Sequence, residues 1–146
     1  MRYFDKEYDP VSRIEFIQND KHLAETTVFL HGISSGADSW LNQTDYFSNN
    51  TSVLAWNAPG YGNSAQIEKQ QPNAVDYSKR LLALLESRDI QRINIVGHSL
   101  GALIAAAFAS EYPEKVHKLI LVNPAQGYGD FDEVKQEEVA EMRPKL

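Results

Sequence analysis

The 146-residue sequence has no cysteine, which excludes a disulfide framework, a thiolate metal site and a cysteine nucleophile together. It also has no hydrophobic run approaching the length needed to cross a bilayer. The opening residues Met1-Arg2-Tyr3-Phe4-Asp5-Lys6-Glu7 carry charge where a secretory signal is apolar, so a cytoplasmic protein without membrane attachment is expected. Positive charge is scarce. The formal net charge is -6 and no stripe of Lys and Arg forms, which argues against a nucleic-acid partner. Four histidines are present, none spaced with another histidine or a carboxylate as metal ligands are, so neither a metal nor another cofactor is implied. Gly60 and Gly62 lack the remainder of a dinucleotide fingerprint and follow the wrong strand for one; turn chemistry explains them. Repeats, low-complexity tracts and interdomain linkers are missing as well.

What is present suits one domain: 42% hydrophobic residues are enough for a sizeable core in a chain of this length. Residues 3–8 and 12–18 read as short strands around the Asp9-Pro10 turn and form a plausible antiparallel start. Residues 26–30 and 52–56 are five-residue apolar runs of the kind buried on both faces of a sheet. Between them, Trp40, Leu41, Thr44 and Phe47 fall on one helical face of residues 38–47, with Asp38 placed to cap or begin that helix. A leucine-rich helix is expected over 75–86, a strand over 90–96, a helix over 100–112 stopped by Pro113, and a sixth strand over 118–122. Strands alternating with helices imply a mostly parallel sheet with helices on both faces. After Asn123-Pro124 the composition shifts to Gly-rich and then acidic, so residues 1–126 form the expected core and 127–146 a separate segment.

Chemistry concentrates in Gly97-His98-Ser99-Leu100-Gly101, at the junction of an apolar strand and an alanine-rich helix. This is the sequence form of a nucleophile elbow, in which two glycines leave room for a sharp bend that exposes a serine hydroxyl. Ser99 is therefore the candidate nucleophile. The same pattern also fits an ordinary strand-turn-helix connection whose serine caps the helix; the strand-like residues before it and helix-like residues after it favour the elbow. His98, beside it, is expected to pack behind the turn rather than act as a base. His22 and His117 are placed ahead of the third and sixth strands, at the opposite end of the sheet. Trp40, Trp56 and Phe108 are expected in the core, and Tyr61 on a loop near the crevice.

Four motifs in order, each at the carboxyl end of an expected strand, carry a resemblance: His31-Gly32, Asn57-Ala58-Pro59-Gly60-Tyr61-Gly62-Asn63-Ser64, Gly97-His98-Ser99-Leu100-Gly101 and Val122-Asn123-Pro124-Ala125. The sequence resembles the N-terminal half of an alpha/beta-hydrolase-fold enzyme, in the branch that includes esterases, lactonases and carbon-carbon bond hydrolases of aromatic-ring degradation. The resemblance implies a three-layer alpha/beta fold with a mostly parallel sheet, ending here after its sixth strand. It implies an oxyanion hole built from the N–H groups of Leu100 and Ile33. His31 and Gly32 would shape that loop, His31 orienting it by side-chain hydrogen bonds or standing as a plain loop histidine. Residues 127–146 match the beginning of an inserted cap.

In the family the triad acid and histidine follow the seventh and eighth strands. The resemblance therefore implies that both lie outside these 146 residues and that the chain alone is close to inactive. Asp130 and Asp132 stand where some relatives carry an acid, but without a histidine either would orient nothing. Two functions stay open: a serine hydrolase of an ester, lactone or related small carbonyl substrate, or a noncatalytic module of the same fold that binds a ligand or a protein. The sixth strand, left as an apolar edge, is expected to self-associate or to pair with a complementary fragment.

Overall fold

The computed structural model describes residues 4–19 and 25–124. Among the described residues, strands β1 (Lys6–Asp9), β2 (Ile14–Gln18), β3 (Thr26–Leu30), β4 (Ser52–Trp56), β5 (Ile93–Ser99) and β6 (Val116–Pro124) form one sheet in the order β1-β2-β4-β3-β5-β6. The four strands β4, β3, β5 and β6 run parallel, and β1 and β2 extend the sheet antiparallel. Helices α1 (Leu41–Phe47), α2 (Ala74–Ser87) and α3 (Leu100–Glu111) supply the crossovers.

Pleating sorts the sheet side chains into two cores. Val28, Leu30, Leu54, Trp56 and Ile95 face one side, where Leu81, Leu84 and Leu85 of α2 and Ile104, Ala105 and Phe108 of α3 close over them. Phe29, Val53 and Ala55 face the other, against Ala37 and the flanking Trp40 and Leu41. Helices on both faces give the expected three-layer arrangement, with the α1 face the more thinly covered. β3 and β4 are buried along their whole length, as their unbroken apolar runs require.

Several boundaries differ from the sequence reading, each for a local reason. Ile90 is not the start of a strand: its N–H donates to Leu85 O at 2.8 Å and that of Asp89 to Glu86 O at 3.1 Å, closing a Schellman cap on α2. Asp89 takes the left-handed conformation (φ 58°) that this cap demands. Ile90 is apolar because it packs on the end of a helix, and β5 starts at Ile93 and runs through Ser99 instead of stopping at Val96. Ser12 belongs to a turn, its N–H donating to Asp9 Oδ2 at 2.7 Å, so β2 begins at Ile14. Residues 37–40 are a 3-10 turn leading into α1, and β6 extends from residue 116 to 124. Tyr3 and the expected cap segment at 127–146 lie outside the described residues.

Candidate active site

The parallel strands end at one side of the sheet, and β3 lies directly between β4 and β5. β3 leads to α1 on one face of the sheet and β5 turns directly into α3 on the other, so the two connections diverge where the strand order reverses, the crevice position of open α/β sheets. Ser99 stands there. It is the last residue of β5 and the N-cap of α3, with φ 58° and ψ -118°, a conformation L residues rarely adopt and which costs about 1–3 kcal/mol. A register shift between His98 and Ser99 against β6 marks the same bend as a bulge.

The two flanking glycines are required by space. A Cβ on Gly97 would stand 2.2 Å from the Gly101 carbonyl oxygen, and one on Gly101 would stand 2.2 Å from that of Leu30. The elbow is thus pressed onto the end of β3. The Ser99 side chain makes no capping hydrogen bond to α3, which separates it from an ordinary N-cap serine. Leu100 is the first residue of α3, so its N–H has no intrahelical acceptor.

The loop after β3 reaches the elbow at Gly32, where a Cβ would lie 2.9 Å from Ser99 Cβ. Only glycine lets the two backbones approach this closely. His31 anchors the loop. Its Nε2 accepts the Ala58 N–H at 2.9 Å, which leaves the proton on Nδ1 to be donated to the Gly32 carbonyl at 2.8 Å. The ring is 1% exposed, and burial holds its pKa below the ordinary 6.5 despite the opposing hydrogen bond to Gly32, so it is neutral at pH 7. Both ring nitrogens are engaged by backbone groups, one on its own loop and one on the loop after β4. Ile33, next along, is 60% exposed and Ser34 has φ 59°.

His98 departs from expectation. It is exposed rather than packed behind the turn: it shares the face of Val96, two residues earlier, which among the described residues is covered by the 3-10 turn and the short α1. Its Nδ1 lies 3.1 Å from where a Cβ on Gly32 would stand. His117 sits at the start of β6, at the opposite end of the sheet, with Arg92 donating to its Nδ1 at 3.3 Å. His22 lies outside the described residues. Trp56 and Phe108 are buried in the core, and Tyr61 packs edge-on to His31 at 4.7 Å between ring centres. No group of three or more His, Cys, Asp or Glu among the described residues is arranged to hold a metal ion.

The sequence model of the alpha/beta hydrolase fold matches residues 27–143. The chain belongs to the alpha/beta hydrolase family. This alpha/beta hydrolase is 36% identical over 107 residues to the 2-hydroxy-6-oxononadienedioate/2-hydroxy-6-oxononatrienedioate hydrolase of Paraburkholderia phymatum, across 70% of this chain and 37% of that protein. It is 31% identical over 107 residues to the dihydrolipoyllysine-residue acetyltransferase component of the acetoin cleaving system of Cupriavidus necator, across 73% of this chain and 28% of that one. Among solved structures it resembles Cfl2 from Burkholderia cenocepacia, with a TM-score of 0.75, 26% identity, and coverage of 82% of this chain and 41% of the other. The chain spans less than half the length of each of these relatives.

Sequence reasoning missed a second group of residues at this end of the sheet. Glu15, on β2, is 8% exposed and accepts hydrogen bonds from Asn57 Nδ2 at 2.7 Å, the Asn63 N–H at 3.1 Å and Asn63 Nδ2 at 2.8 Å. Burial pushes its pKa up, but those bonds and the charge of Lys6 outweigh it, so the carboxyl titrates below 4.5. The available signal was a lone carboxylate within the apolar run Ile14-Glu15-Phe16-Ile17.

Proposed function

We propose that this chain carries the nucleophile and oxyanion hole of a serine hydrolase, with Ser99 attacking an ester, lactone or related carbonyl carbon. The observation that carries the reading is Ser99 in a strained turn with no side-chain cap to α3, beside a glycine at position 32 whose added Cβ would stand 2.9 Å from Ser99 Cβ. The N–H groups of Leu100 and Ile33 receive the oxygen as it gains charge, and His31 and Gly32 hold the second of these donors in place. As the serine Oγ bonds to carbon, its proton passes to a base and the leaving group departs with a proton; water then releases the acyl group. The hydrolase of P. phymatum names a substrate with a ketone carbonyl, which the same attack suits.

The base and its orienting acid come from outside residues 1–146. His31 has both nitrogens occupied and His117 stands at the far end, which takes these two out of the role. On this reading residues 1–126 are the N-terminal part of the hydrolase core and 127–146 the start of a cap or lid segment. Without the base, turnover falls by up to about a millionfold, while the oxyanion hole retains roughly a thousandfold over water. Among the described residues β6 pairs with β5 alone and exposes Leu119 and Ile120 at 41% and 49%, so it offers an edge on which a further strand can pair. When the chain is alone, that edge pairs with a second copy. Light scattering showing a monodisperse monomer overturns this last point.

The nucleophile itself is tested with a fluorophosphonate, whose fluoride the serine oxygen displaces from phosphorus while the hydroxyl proton is lost to solvent. Slow labelling confined to the Ser99 peptide, and abolished by Ser99→Ala, is expected by mass spectrometry. Labelling spread evenly over other serines, or none at Ser99, overturns the assignment.

A further inference from the structure

We infer that Glu15 is a positioning residue for the crevice: by fixing the amide of Asn57, its carboxylate holds the far end of the loop that carries Ile33. The inference rests on the reading of Ser99 and Ile33 given above. Topology puts Glu15 in place. Because β2 runs antiparallel to β4, its first residues lie at the end where the parallel strands stop, with Phe16 opposite Trp56 and the Asn57 N–H donating to Glu15 O at 2.8 Å.

Joining β2 to the loop of residues 57–65 does not require the carboxylate. Ser64 Oγ already accepts the Glu15 N–H at 2.8 Å and donates to Asn57 O at 2.6 Å, and the Ala65 N–H donates to Arg13 O at 2.9 Å. What the carboxylate adds is direction. With Nδ2 of Asn57 committed to Glu15 Oε1, the amide oxygen Oδ1 must face the other way, where it accepts the Ala37 N–H at 2.8 Å. Ala37 closes the loop that His31 opens, so the loop is tied at both ends to residues 57 and 58. Gly62, at φ 52°, presses against the pair: a Cβ there would stand 2.6 Å from both Asn57 Nδ2 and Glu15 Oε1.

The geometry makes a distinction between variants. Oε1 takes both the Asn57 side chain and the Asn63 N–H, so a glutamine oxygen in that position keeps both bonds, with the exposed Asn63 amide turned so that its oxygen accepts from the glutamine Nε2, whereas leucine keeps none of them. Hydrogen exchange of the Ala37 amide and the rate of Ser99 labelling by fluorophosphonate are measured in the full chain. In Glu15→Leu, Ala37 exchanges about tenfold faster or more and labelling slows by about tenfold, while the amides of Val28 and Ile95 in the sheet keep their protection. Glu15→Gln restores both rates. Should Glu15→Leu fail to fold, Asn57→Ala, which removes only the relay, gives the same acceleration at Ala37. Unchanged Ala37 exchange in Glu15→Leu or Asn57→Ala, or failure of Gln to restore it, overturns the inference. Ala37 responding as stated in a protein whose Ser99 never labels leaves the Glu15 tie standing and removes the nucleophile reading instead.

Discussion

The turn at Ser99 and the loop from His31 to Gly36 meet at one crevice, yet they are kept there by unlike means. The turn depends on side chains that are missing. Gly97 and Gly101 let backbone approach backbone so closely that a single added carbon would stand 2.2 Å from a carbonyl oxygen at either position. The loop depends on side chains that are present: His31 bridges Gly32 and Ala58, Asn57 receives Ala37, and Tyr61 receives Ser34. Steric closeness has no intermediate setting and no pH dependence. Polar ties are graded, and some of them titrate. The sharply bent turn uses the first device and the loop after β3 the second.

The sharpest break of that comparison is Gly101→Ala. Alanine is ordinarily better than glycine in a helix by about 1 kcal/mol, so a stabilised protein would mean that the close contact is unimportant. Because the Cβ would meet backbone at Leu30 and His31 rather than a movable side chain, the expected result is a loss of about 3 kcal/mol or more in urea unfolding, the same at pH 5 and pH 8. His31→Phe comes next. It keeps the ring volume against Tyr61 and leaves the Ala58 N–H and the Gly32 carbonyl without their partner, so a loss of about 2–3 kcal/mol is expected at pH 8.

The polar side of the comparison also predicts acid sensitivity. His31, Glu15 and Asp9 all have folded-state pKa values below their ordinary ones of 6.5, 4.5 and 3.8. For each, burial is the largest influence. It lowers the value for His31, and for the carboxylates it is outweighed by hydrogen bonds, from Asn63 and Asn57 to Glu15 and from Ser12 and Ser87 to Asp9. A group of this kind contributes its full stability above its unfolded value and loses it as pH falls toward the folded one. Urea midpoints are therefore expected to decline first below about pH 6.5 through His31 and again below about pH 4.5 through the carboxylates. In His31→Phe the first decline disappears while the second remains. A flat midpoint from pH 7 to pH 4 would remove the polar account of the loop.

How much of this was legible in the sequence divides along the same line. The elbow was readable because its requirement is local: two glycines four residues apart around a serine, between a strand and a helix. The family and the mostly parallel three-layer sheet followed from motifs at successive strand ends. The ties were not readable, because their partners are set by register. Glu15 and Asn57 are 42 residues apart and meet only because β2 is antiparallel to β4. Ile90 was misread since apolarity alone does not distinguish the start of a strand from the hydrophobic contact of a helix cap. His98 was misplaced because its exposure depends on how far the elements on the α1 face, among the described residues, reach over the end of β5.

The smallest expected effect sharpens the comparison most finely. The Ser34 N–H reaches the Tyr61 hydroxyl at 3.4 Å, at the long limit of a hydrogen bond, on an exposed part of the loop. Tyr61→Phe keeps the ring edge-on to His31 and removes only that contact, so stability is expected to change by less than about 0.5 kcal/mol. Ser34 nevertheless holds φ 59° next to Ile33, and its N–H is the group that the hydroxyl receives. Amide exchange at Ser34 is expected to quicken by about twofold with no change at Ala37, whose tie to Asn57 is separate. If Ala37 quickens equally, the loop moves as one body between its two anchors, and the ties at its ends act together rather than independently.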